Sequence, residues 1–175
     1  MSTTQIVGGV ICAALLFWIV GAYNRLVRLR GAIVRRFVPV EEQFKLRHGL
    51  LQRQIDALAP VLPSAAPRID ALRAASHQVD AACTHAHQRP GAAGAITSLR
   101  LADEILADAR ARLPVQSVPG LDITELNAQL IASDTTLAFA RRQFNEAVSG
   151  YNDAVAQFPT VMIVGLFGFR SAGTL

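Results

Sequence analysis

Charge is scarce in this chain, and absent where it matters most. Met1 to Asn24 carries no charged side chain, and Asp, Glu, Lys and Arg together make up only 17% of the 175 residues. Cysteine is equally sparse, with Cys12 and Cys83 the only two. One of them lies inside the uncharged run, so a disulfide framework is excluded. Aromatic residues are 6%, and Val, Ile, Thr and Tyr are too scattered to supply alternating strands. No H-E-x-x-H, Walker A, G-x-G-x-x-G or G-x-S-x-G motif occurs, which removes the sequence signatures of zincins, P-loop enzymes, dinucleotide-binding proteins and nucleophile-elbow hydrolases.

What is present is hydrophobic, at 51% of residues and rich in Ala. A helical fold follows. The length allows one soluble core of roughly 150 residues once the N-terminus is set aside.

Ile6 to Tyr23 (IVGGVICAALLFWIVGAY) is an almost unbroken apolar stretch of the length that crosses a bilayer as a helix. Ile6, Ile11, Leu15, Leu16, Phe17, Trp18, Ile19 and Tyr23 would face lipid, with Trp18 and Tyr23 toward the end where amphipathic rings favour the interface. A cleaved signal peptide is the rival reading, with Val20-Gly21-Ala22 as its cleavage site, but no Lys or Arg precedes the run. Ile11 occupies the position before Cys12 where a lipoprotein needs a small residue. The basic residues Arg25, Arg28, Arg30, Arg35 and Arg36 follow the span, and the positive-inside rule therefore places the body of the chain in the cytoplasm. These arginines lack interleaved exposed aromatics or a nucleic-acid-binding signature, so the expected partner is membrane lipid and not nucleic acid. Gly9 and Ala13 form a small-xxx-small pair compatible with pairing of two spans, hence with a homo-oligomer.

Beyond the span, apolar residues recur every seven positions. Leu26, Ile33 and Val40 form one ladder, and Phe37, Phe44, Leu51 and Leu58 form another. Pro39 does not shift the phase, which predicts one kinked helix from Asn24 to Leu58. Pro60, Pro63 and Pro67 end it. A second helix after Pro67 shows Ile69, Leu72, Val79, Cys83 and Ala86 on one face, and a third, Ala95 to Leu113, shows Leu99, Ala102, Leu106, Ala109 and Leu113. The fourth opens at Asp122 or Thr124, with Asp122 and Glu125 in capping-box spacing, and runs to Pro159. Its expected core is Leu130, Leu137, Phe144, Val148, Tyr151, Val155 and Phe158, with Asn145 and Asn152 at the polar border. Taking Phe158 as level with Asn24 sets Asp134 beside Arg47 or His48, and Arg141 beside Glu41. The reading is all-α: an N-terminal transmembrane helix (1–24) continuing into a long antiparallel four-helix bundle (25–159), then an apolar tail (160–175). In that tail Val161, Ile163, Leu166, Phe167 and Phe169 are too few to span a bilayer, and are expected at the lipid interface or packed back on the bundle.

The segments YNRLVRLR (23–30), FVPVEEQFKLRHGLL (37–51), LAFARRQFNEAVSGYNDAVAQFP (137–159) and GLFGF (165–169) resemble the LemA family of bacterial membrane proteins. The resemblance implies a single span and a helical bundle, no known catalytic residues, and an activity that is not established. It departs from the family at Phe37, where Trp is usual, at Gly31, where Asn is usual, at Pro39, and at LLQRQ (50–54).

The most enzyme-like cluster is Cys83, His85 and His87. Residues two apart on a helix point to opposite sides, so His85 and His87 cannot share a metal while helical. The expectation is therefore a non-enzymatic scaffold or adaptor in the bacterial inner membrane, single-pass, without cofactor or metal, meeting other membrane-associated proteins. Direct membrane remodelling is the alternative, followed by a metal-dependent hydrolase using the Cys83/His85/His87 region.

Overall fold

The computed structural model describes residues 3–113 and 123–175. Its first element, α1, runs without a break from Thr3 to Leu58. The apolar segment and the first bundle helix are thus one rod of 56 residues, about 84 Å long. Pro39 lies inside it, half-buried. A 3₁₀ turn, Pro63–Ala65, leads into α2, Ala66–Gln88, where Pro67 sits in the first turn and its missing N–H costs nothing. Helix α3 spans Ala93–Ala111, beginning two residues before the expected start. Helix α4 spans Thr124–Ala156, and a single turn, α5, covers Val161–Val164. The expected cap at Asp122 lies outside the described residues.

Helix α1 packs along both α4 and α2, and α2 packs along α3. The α1–α4 seam holds one antiparallel register from end to end. Arg25 meets Gln157, Phe37 packs edge-on to Phe144 with centroids 5.7 Å apart, Arg47 meets Asp134, and Gln54 donates to Asn127. Leu26, Ile33, Phe37, Val40, Phe44, Leu51 and Leu58 on α1 are buried, as are Leu137, Phe144, Val148, Tyr151 and Val155 on α4. The second helix is tied to α1 by His87 to Glu41 and by His48 to Ser76.

Two expectations fail at the seam. Phe158 is 76% exposed, because α4 stops at Ala156 and the seven-residue phase that would turn Phe158 inward ends with it. Arg141 does not reach Glu41. That carboxylate points toward α2, held by Lys45 and His87, while Arg141 turns to Asp103 on α3.

Helices α3 and α4 make no comparably close approach among the described residues. They are joined instead by long side chains, Arg141 to Asp103 and Arg110 to Asp134. Near the start of α3 the gap between them is filled by the last residues of the sequence, which run back along α4 after Gly168. The φ of +68° at Gly168 is one that glycine adopts without steric cost.

Candidate functional site

Three regions bear on function, beginning with the end of the bundle where α1 emerges. Ile6, Ile11, Leu15, Leu16 and Phe17 are exposed along the free part of α1, and Trp18 and Ile19 are partly covered. This stretch is long and apolar enough to cross a membrane, and none of its most apolar window is buried by the rest of the chain. Where it joins the bundle, Tyr23 packs against Phe167 and Phe169, with centroids 5.2 and 5.8 Å away. Arg25, Arg28, Arg30, Arg35 and Arg36 are all exposed on the following turns. Arg36 contacts α4 through Gln143, and Arg25 meets Gln157, the residue just past its end.

The apolar tail divides. Ile163 and Phe169 are buried, whereas Val161, Met162, Leu166 and Phe167 face outward, Leu166 at 78% exposure. After Phe169 the chain is extended and held by asparagine. Asn152 donates from Nδ2 to the Ala172 carbonyl (3.0 Å) and accepts from the Ala172 N–H (2.8 Å). Asn145 does the same with Leu175, at 2.7 and 2.9 Å. The spacing explains the pairing, since seven helical residues advance about 10.5 Å and three extended residues about 10 Å. The Tyr151 hydroxyl donates to the Arg170 carbonyl, and burial pushes that phenol's pKa up. Placing the two asparagines at a merely polar border therefore understated them: each satisfies both the N–H and the C=O of one residue in a segment that has no ladder of its own. Gly173 lies so close to α3 that a Cβ there would meet the Ala93 Cα at 2.8 Å.

The second region is the ion-pair network in the α3–α4 gap. Arg47 and Asp103 are both buried and paired, and Arg141 closes on the second Asp103 oxygen. Burial alone would raise the Asp103 pKa. The two guanidiniums more than offset it and hold the carboxyl below the usual range. Both arginines also sit 5.1 Å from the Phe44 ring centroid. Beside the network lies an open cavity of about 750 Å³, lined by Ala107, Leu137, Ala138, Arg142 and Asn145 among others. The Arg110–Asp134 pair separates it from a second cavity toward Gln54 and Asn127. Sequence reasoning overlooked Asp103, although it lies four residues after Leu99 and three before Leu106, squarely on the apolar face of α3.

The third region is the Cys83/His85/His87 stretch. Cys83 is buried, and loss of solvent pushes its thiol up to about 12, away from the thiolate form. His87 is bound to Glu41, and His85 is exposed on another side of α2. The three do not converge.

A family model, the LemA family, matches residues 70–175. The chain belongs to the LemA family. The matched part of this LemA-family chain takes in the asparagine-clamped tail, all of α3 and α4, and nearly all of α2, while YNRLVRLR at Tyr23–Arg30 precedes it. A comparison with curated proteins gives no match.

Proposed function

We propose that this chain is a non-enzymatic, membrane-anchored scaffold or adaptor of the LemA type, single-pass in the bacterial inner membrane with its bundle in the cytoplasm. The observation that carries the reading is the unbroken α1, in which exposed apolar residues and bundle core residues belong to one helix. A body joined to its anchor in this way holds docked proteins at a set height and orientation above the bilayer. The exposed arginines at positions 25 to 36 support the cytoplasmic side through the positive-inside rule. Family membership fits association with a membrane.

Photo-crosslinkers at the exposed apolar positions Ile105, Ile131 and Phe139, installed in the full chain in native membranes, test the adaptor role. A scaffold gives a reproducible protein adduct from some of these positions and not others. Adducts to lipid alone, from every position, would contradict it. Direct remodelling of the bilayer is the second reading, favoured by the outward-facing Leu166 and Met162. It predicts that the purified full chain deforms vesicles without any protein partner.

A further inference from the structure

We infer that the turn between α4 and the clamped tail is a second membrane contact, an apolar foot that enters the bilayer interface beside the emerging span. The inference rests on the reading of α1 as a span and adds a surface to it.

Phe158, Val161, Met162, Leu166 and Phe167 fall within ten residues and all are exposed, Met162 at 72%. Soluble surfaces rarely gather so many large apolar side chains on one turn unless something covers them. Ala156 to Phe169 contains no charged residue, and Arg170 follows directly. The feature is also structured: α5, the Tyr23 contacts and the asparagine clamps hold it in place.

Its position identifies the occupant. Phe167 packs against Tyr23, the last residue of the apolar stretch, so the foot lies at the depth where α1 leaves lipid. Leu16 and Val20, seven and three residues before Tyr23, fall on the same side of α1 as Tyr23 and are exposed as well. Two exposed arginines adjoin the patch, Arg25 bonded to Gln157 beside Phe158 and Arg170 directly after Phe169, where they can meet anionic headgroups. The α2–α3 turn faces α1 across a cavity lined by Arg30, Ile33 and Val34, seven or more residues beyond Tyr23, and the tail reaches that cavity only from Gly168 onward. The contacts that hold the foot to α1, at Tyr23 and Arg25, thus lie nearer the apolar stretch than those of the α2–α3 turn. An interface-seated foot fixes the rotation of the bundle about the span, which a single helix leaves free.

Spin labels in the full chain, reconstituted into vesicles of phosphatidylcholine and phosphatidylglycerol, test this. Native Cys12 reports the span. In a Cys12→Ser background, Met162→Cys and Leu166→Cys report the foot, and His85→Cys reports water; Cys83 is buried and does not compete for label. Collision rates with oxygen, which partitions into lipid, and with a water-soluble nickel chelate give depth. The foot predicts several-fold less nickel collision at 162 and 166 than at 85, with more oxygen collision, at a depth shallower than Cys12. Nickel collision at 162 and 166 equal to that at 85, with Cys12 deep, would overturn the foot while leaving the span intact. Nickel access to Cys12 would overturn both. Shielding from both reagents, with spin–spin broadening relieved by unlabelled chain, would mean a second copy covers the patch and would overturn lipid contact.

Discussion

Phe144 and Asn152 show how one helix divides its labour between neighbouring side chains. Phe144 is fully buried against Phe37, so Phe144→Ala should cost about 3–5 kcal/mol, read as a lower denaturant midpoint. Asn152→Ala removes two hydrogen bonds to a peripheral segment and should cost about 1–3 kcal/mol. Its clearer signature is local: amide exchange should rise at residues 169–175 while α1 and α4 keep their protection. Equal protection of that segment in the variant and the parent would mean that the clamps do not hold it. Asp103 gives a pH test. Its folded pKa lies below its unfolded value of about 3.9, so its contribution is complete above pH of about 4 and is lost as pH falls through the lower folded value. Asp103→Asn should be less stable than the parent at pH 6, with two buried or half-buried arginines left short of a partner. It should lose less stability than the parent on acidification to pH 3. Parallel losses would show that other carboxylates dominate.

At the scale of elements, the long helices were legible because each repeats the same burial every two turns. Leu26, Ile33 and Val40, or Phe144, Tyr151 and the residues between, announce a seam long before any contact is seen. What the ladder could not announce was its end. Phe158 keeps the spacing but falls past Ala156, where helical phase no longer applies. The clamps were illegible for a different reason: Asn145 and Asn152 bind backbone groups, and a backbone acceptor leaves no mark on the sequence that supplies it. Asp103 was legible from its spacing on α3, yet its partners come from two other helices and only tertiary packing joins them. Pro39 offers an element-level prediction. It sits inside α1 without a donor for the preceding turn, so Pro39→Ala should restore a hydrogen bond and stabilise the chain by as much as about 3 kcal/mol. A lower melting temperature in that variant would show that the bundle requires the local bend.

For the whole molecule, the proposed function turns on orientation and rigidity. The buried Cys83 is no handle for topology, whatever side it occupies, so a reporter belongs at the exposed His85. With His85→Cys in a Cys12→Ser background, a cytoplasmic body predicts no reaction with an impermeant maleimide in intact spheroplasts, and prompt reaction once the membrane is opened. Labelling before opening would place the bundle outside. The central claim is that span and bundle are one rod, and the most direct test is a pulsed dipolar distance between labels on native Cys12 and Val34→Cys in the full chain in lipid nanodiscs. On the proposed reading these positions straddle the exit from the membrane. A continuous α1 places them about 33 Å apart in a single narrow distribution. A broad distribution, or one centred below about 25 Å, would mean a hinge at Tyr23 and Asn24 and would contradict the rigid anchor.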